Sequence, residues 1–275
     1  MTAPLEGPSI QCSTGPFWAF DLATAFDAVA AAGFSELELM VTRDATTQEA
    51  EVPGRLAAER GLRIASVHAP FLTLTRGVWG MDPIGKIERG AEMCNRLGAS
   101  ALVVHPPLLW ERAYARWLAE GSADFVLRTG VSVAVETMYP IWVGRRALQA
   151  YRWVQPSQLL AAADAVVMDT SHLAVARHDV LDAYELLAPK LVQVHLSNNA
   201  GDGRDGHLEL GAGVVPVERL LDRLRRDRFD GGVCLELSLR RYLERPAELV
   251  EALRRNREYV EDRLNRIPRR KEASS

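Results

Sequence analysis

Residues 165–198 read AVVMDTSHLAVARHDVLDAYELLAPKLVQVHLSN. Within them one apolar, β-branched run closes on Asp169, a helical pattern follows over 180–187, and a second apolar run closes on His195. Runs this short and this apolar, separated by a helix, suit parallel strands buried on both faces. The same unit recurs on either side. Strands are predicted at 9–12, 36–40, 63–68, 101–105, 132–136, 165–169, 191–195 and 233–237. Helices are predicted at 22–32, 49–60, 83–97, across 111–128, and at 156–163, 180–187, 217–226 and 247–264. Gly33, Gly61, Gly98 and Gly130 stand just past helices, and Pro156 and Pro216 near helix starts, where each residue type is favoured.

Eight β-then-α units in 275 residues predict an α/β protein, a single closed (β/α)8 barrel in preference to an open doubly wound sheet. No linker-like stretch divides the chain, so residues 1–265 are expected to form one domain. Residues 266–275, basic and then small and polar, are expected to be a disordered tail. The composition, 48% hydrophobic and 25% charged, is that of an ordinary globular chain, and a net charge of −3 gives no global attraction to nucleic acid or an anionic membrane. All but three (Lys86, Lys190 and Lys271) of the 33 basic residues are arginine. Cys12, Cys94 and Cys234 are widely spaced and form no CxxC pair, which argues against a disulfide framework or a thiolate zinc site. With no leader-like or membrane-spanning stretch, a cytoplasmic protein is expected.

Catalytic groups in such a barrel project from the C-terminal ends of its strands. From the second strand to the eighth, the residues read at or near those ends are Glu38, His68, His105, Glu136, Asp169, His195 and Glu236. Every one is a metal ligand or an acid/base group. Buried carboxylates without a cation are costly, and convergence on a metal removes that cost. A donor set of carboxylates and imidazoles without thiolate suits a divalent ion such as Mn, Zn, Co, Fe or Mg, and does not choose among them.

Asp169-Thr-Ser-His172 puts an imidazole one turn into the loop expected after its strand, and Asp205-Gly-His207 returns a second carboxylate and imidazole on the loop after the seventh. Residues 201–206 match G-x-G-x-x-G, but no helix opens directly after them, so a dinucleotide site is not expected. Phe17, Trp18, Trp79, Trp110 and Trp142 fall on loops of the same face and are expected to roof a small-molecule pocket, with Trp18 and Trp142 available to a sugar ring.

The motifs Ser66-Val-His68-Ala-Pro70, Val104-His105-Pro106, Val135-Glu136-Thr137, Met168-Asp169-Thr-Ser-His172, Val194-His195-Leu-Ser-Asn198, Asp205-x-His207-x-x-Leu-Gly-x-Gly213 and Leu235-Glu236-Leu237 together resemble the xylose isomerase-like TIM barrels. These include sugar isomerases and epimerases, and the endonuclease IV-type apurinic endonucleases. In the sugar branch the resemblance implies a single metal on Glu136, Asp169, His195 and Glu236, with His172 close to the substrate. In the nuclease branch it implies three zinc ions, using in addition His68, His105, His172, Asp205 and His207. All nine residues are present. Leu173-Ala-Val-Ala-Arg-His-Asp179 and Glu136-Thr-Met-Tyr-Pro140 depart from the nuclease pattern, and Ser66-Val-His68-Ala-Pro-Phe71 is similar to the sugar branch.

The expectation is therefore a metal-dependent isomerase or epimerase of a small keto-sugar, sugar phosphate or polyol. Glu136 and Glu236 would move the proton of an enediolate mechanism, and His68, His105, His172, His207, Trp18 and Trp142 would contact substrate. A dehydratase on the same site and an apurinic endonuclease are the alternatives. The expected partner is a small carbohydrate-like molecule, with nucleic acid the weaker possibility, membrane excluded and homo-oligomerisation left open.

Overall fold

Strand β8 (Ala165–Asp169) is buried at every residue, as a strand packed on both faces must be. It pairs in parallel with β5 (Ser132–Glu136) on one side and β9 (Leu191–Leu196) on the other. The computed structural model describes residues 7–71, 75–144 and 146–265; the expected tail at 266–275 lies outside the described residues. The remaining barrel strands are β1 (Ser9–Ser13), β2 (Glu36–Met40), β3 (Arg63–His68), β4 (Ala101–Val104) and β10 (Gly232–Leu235). They close in the order β1-β10-β9-β8-β5-β4-β3-β2, all parallel, to give a single (β/α)8 TIM barrel.

The outer helices are α1 (Leu22–Ala31), α2 (Glu51–Arg60), α3 (Pro83–Leu97), α4 (Arg112–Glu120), α5 (Ser122–Thr129), α6 (Pro156–Ala162), α7 (Thr170–Ala176), α8 (Val180–Leu187), α9 (Val217–Asp227) and α10 (Pro246–Leu264). Their apolar faces and the outward-facing strand residues form the main core, in which Phe26, Leu37, Leu102, Met168, Leu187 and Leu220 are fully buried. Close approach is set by size: a Cβ on Gly90 of α3 would stand 2.6 Å from Leu102 Cδ1 of β4.

Two expectations need correction, and one element is additional. The helix expected across 111–128 is two helices, broken at Gly121, which closes the first and opens the second. The segment holding His172 is not a loop but α7, started by Asp169, whose Oδ1 accepts from His172 N at 2.8 Å. A small antiparallel hairpin, β6 (Ile141–Val143) and β7 (Arg146–Leu148), was not foreseen, because its strands are largely exposed and carry no core-facing alternation.

Successive strand residues face opposite sides, so the barrel interior can be read from its lining. On β4, β5 and β8 it holds Val103, Ala134, Ala165 and Val167, a small apolar cluster apart from the main core. On β1, β2, β3 and β9 it is polar, with Ser13, Glu38, Ser66, Gln193 and His195 all buried.

Candidate metal centre at the barrel mouth

The interior series that runs through Ala134, Val167 and Gln193 ends one pleat higher in Glu136, Asp169 and His195, and Glu236 follows directly on β10. These four residues each present one ligand atom within 4.8 Å of the others. His195 is central: its Nδ1 lies 2.8 Å from Glu136 Oε1, 3.0 Å from Glu236 Oε2 and 3.9 Å from Asp169 Oδ2. Its other edge points down the barrel, Nε2 meeting Glu38 Oε2 at 3.2 Å. A proton on Nε2, held by that carboxylate, leaves the Nδ1 lone pair for the mouth, the arrangement typical of metal-ligating histidines.

Glu38 stands two residues before the end of β2, so its inward carboxylate lies under the mouth and not at it. Ser13 Oγ (3.2 Å), Ser66 Oγ (3.0 Å) and Gln193 Nε2 (2.7 Å) also donate to it. Of these partners Gln193 went unnoticed in the sequence, although its position two residues before His195 in one strand gave the signal.

Two shells of imidazoles flank the four. His68 Nε2 lies 3.4 Å and His105 Nε2 3.2 Å from Glu136 Oε2, with His68 Nδ1 donating to the Ala69 carbonyl. On the other side His172 donates from Nδ1 to Thr137 O at 2.8 Å and turns Nε2 to Asp205 Oδ2 at 3.3 Å. His207 donates from Nδ1 to the Glu236 carbonyl at 3.1 Å, and its Nε2 is 3.0 Å from Asp205 Oδ1. It holds a left-handed backbone, φ 41°, that side chains other than glycine rarely adopt, a strain characteristic of functional positions. The 197–216 loop that delivers it is fixed by a bridge between Asn198 and Leu208 and by Gly213, where a Cβ would stand 2.3 Å from Asn199 O.

Charge is crowded here. Burial works to lower the His195 imidazole, but Glu38, Glu136 and Glu236 outweigh it and hold it well above its ordinary value. His172 is held high in the same way by Asp169, Asp205 and Glu136, and His207 is raised to about 10 by Asp169, Asp205 and Glu236 against burial. Burial raises Asp169 to about 6, with Glu136 and Glu236 adding to the effect against His172 and His207. His105, in contrast, is pushed down by burial. Protons on imidazoles thus hold the carboxylates together, the part a divalent ion would play.

The residues fit such an ion. Asp169 Oδ2 is buried and has no hydrogen-bond partner, while lying 3.9 Å from His195 Nδ1 and beside two further carboxylates. Such an orphaned acceptor is costly unless a cation meets it.

The aromatic residues are placed less centrally. Phe17 is buried in the main core, and Trp79 turns its indole N–H to Gln48 O at 3.2 Å, so neither roofs the mouth. Trp110 is exposed, as is Trp18 at 69%. Trp142 lies against α7, donating to Val175 O at 2.8 Å, with the Arg177 guanidinium 3.8 Å over its ring. Nearest the imidazoles are Tyr139, 4.8 Å from His172, and Tyr151, 6.0 Å from His105, between ring centroids.

A family model described as xylose isomerase-like TIM barrel matches residues 26–259. The chain belongs to that family. An uncharacterized protein of Mycobacterium leprae (strain TN) is 30% identical over 272 residues, covering 91% of this chain and 97% of the relative. Among solved structures, an IolI protein with a bound zinc atom superposes with a TM-score of 0.70 at 15% identity, covering 94% of this chain and all of that one. The 3-keto-D-glucoside 4-epimerase of E. coli gives 0.66 at 16% identity, covering 92% and 99%. An AP endonuclease, family 2, from Brucella melitensis gives 0.66 at 17%, covering 86% and 99%. Neighbours in this fold family thus include both sugar enzymes and a nuclease.

Proposed function

We propose that this protein is a divalent-metal-dependent isomerase or epimerase of a small keto-sugar, sugar phosphate or polyol. The observation that carries the reading is the convergence of Glu136, Asp169, His195 and Glu236, with Asp169 Oδ2 orphaned among them. These four would hold the ion. When bound, it supplies electrophilic stabilisation of charge developing on a substrate carbonyl and its adjacent hydroxyl.

The chain's own groups do the rest. Glu136 and Glu236 approach His195 Nδ1 from two sides. In this reading one removes the substrate proton and the other returns it, Glu136 with its second oxygen facing the His68 and His105 imidazoles. His68 and His105 on one flank, and His172 and His207 on the other, bind and orient hydroxyl groups. His105, kept neutral by burial, can donate or accept. Trp18, exposed beyond β1, and Trp142, on the hairpin strand β6, are the aromatic residues this reading assigns to the sugar ring. The same arrangement serves dehydration of a keto-polyol if a hydroxyl leaves after proton removal.

One observation favours a second reading. The mouth also contains the groups His68, His105, Glu136 and Asp169, His172, His207, each close enough to share an ion. Three adjacent ions would suit phosphodiester hydrolysis at abasic DNA. Metal content and two assays separate these. About one equivalent of metal, with chelator-sensitive deuterium exchange from D₂O into ketoses, is the expected result. About three equivalents of zinc, with chelator-sensitive incision of a duplex containing one abasic site and no exchange, would replace the proposal with the nuclease.

A further inference from the structure

Beside the metal centre a narrow cleft opens between the β3–α3 and β4–α4 connections, lined among others by Phe71, Arg76, Lys86, His105, Glu111 and Tyr151. Lys86 is the notable member. It sits in the first turns of α3, on the same stripe as Ile87, Gly90, Ala91 and Cys94, and is only 2% exposed. Its Nζ donates to Pro70 O at 2.8 Å and to Arg76 O at 2.6 Å, and the Phe71 ring lies 5.6 Å away. It forms no ion pair with a carboxylate among the described residues. Glu111 is the nearby acid, but its Oε2 accepts from Leu108 N at 2.8 Å and its Oε1 lies 3.9 Å from Arg76 Nη2. Burial, with Arg76 adding to it and Glu111 opposing, lowers the Lys86 ammonium to about 8, so it remains charged at neutral pH.

Two carbonyls use two of three ammonium N–H groups and cancel none of its formal charge. Lys86 and Arg76 together outweigh Glu111, leaving the cleft net positive. His105 joins it to the metal centre: Nε2 is 3.2 Å from Glu136 Oε2, while Nδ1 is buried without a partner. One imidazole therefore separates the cleft from the reacting position, a span that a few carbons of an open-chain sugar cover. The cleft has room for a terminal group, not for a whole ring.

We infer that this cleft is an anion subsite, in which Lys86 and Arg76 hold the terminal carboxylate or phosphate of a substrate whose reacting carbons lie at the metal centre. The inference rests on the reading of the site as one for sugar-like molecules, and it narrows the substrate to an acidic one. Charge-assisted hydrogen bonds give it affinity, and the unused Lys86 N–H gives it direction.

The test is calorimetric titration of the metal-loaded protein with D-fructose, D-fructose 6-phosphate, D-fructuronate and inorganic phosphate. At least one charged sugar should bind about tenfold to a hundredfold more tightly than D-fructose. Preference for the phosphate or for the uronate identifies which anion the subsite takes. Lys86→Met and Arg76→Ala should each narrow the difference to about twofold or less, and Lys86→Arg should retain part of it. Because Lys86 also ties two backbone carbonyls together, Lys86→Met can fail to fold. Arg76→Ala leaves those bonds in place and then decides. Equal affinity for the three sugars, or no binding of any anion, overturns the subsite whatever the exchange assay reads. Anion preference without deuterium exchange keeps the subsite and removes the isomerase; exchange without anion preference does the reverse.

Discussion

Glu38 and Asp169 are both fully buried carboxylates inside one barrel, a single layer apart, and they are treated differently. Glu38 receives hydrogen bonds from Ser13, Ser66, Gln193 and His195 and is lowered to about 2 despite its burial, chiefly through His195 and His68. Asp169 spends one oxygen on the start of α7, leaves the other unpartnered, and is raised to about 6. The lower layer is a finished structural network that orients an imidazole. The upper layer is unfinished without a cation, and incompleteness of this kind marks a place of binding rather than of support.

The largest effect should come from breaking the upper layer. Glu236→Gln keeps size but removes both a ligand charge and a proton carrier, so turnover should fall by at least about 10³-fold. Circular dichroism and melting should remain close to the parent. Parent-like activity on an identified substrate would take Glu236 out of the mechanism.

Next is the link between layers. Glu38→Gln removes the charge that holds the proton on His195 Nε2, so metal affinity should weaken about 10- to 100-fold, the usual consequence of losing such a partner. Competition with a fluorescent chelator measures it. Unchanged affinity would mean that His195 is held by its packing alone.

A third expectation concerns the metal-free protein. His207 titrates at about 10 in the folded chain against an ordinary 6.5, and His172 and His195 are also held high. Groups raised by folding stabilise it fully below pH 6.5, and this support is lost as pH rises toward 10. Asp169, raised to about 6, acts in the same direction at lower pH, while the depressed carboxylates Glu38, Glu136 and Asp205 titrate below this window. Melting temperature after chelation should therefore drop by several degrees across that range, and less with metal bound, since the ion replaces the protons. A flat metal-free profile would show that the imidazoles are not protonated.

The smallest effect belongs to the finished layer. Ser66→Ala deletes one of four donors to Glu38 and should cost about 1 to 3 kcal/mol in urea unfolding. Metal affinity should change far less than in Glu38→Gln. If the two variants lose metal equally, the lower layer is itself part of the binding site.

Much of this was legible in the sequence, for a physical reason. A closed barrel forces every strand to the same mouth, so His68, His105, Glu136, Asp169, His195 and Glu236 could be gathered from strand ends alone, without knowledge of any distance. What stayed hidden depended on one-residue placement or on segments without periodicity. Glu38 falls short of its strand end, α7 begins with Thr and Ser, which are poor helix formers, and only the capping role of Asp169 announces it. The hairpin at 141–148 has no buried face to betray it. Lys86 had a signal of its own, one of three lysines in an arginine-rich chain, set within an otherwise apolar helical stripe.

The three cysteines bear on how this barrel opens. Cys12, Cys94 and Cys234 are at most 1% exposed, and burial raises all three thiols, Cys94 to about 12, so the native chain offers no reactive thiolate. They lie in separate elements: Cys12 on β1 facing the outer core, Cys94 on the buried face of α3, and Cys234 on β10 inside the barrel below Glu236. Each is thus a natural chemical clock. The pace at which a thiol reagent reaches each one reports how often that part of the wall breathes, and the order of labelling would map its cooperative units without a single engineered probe.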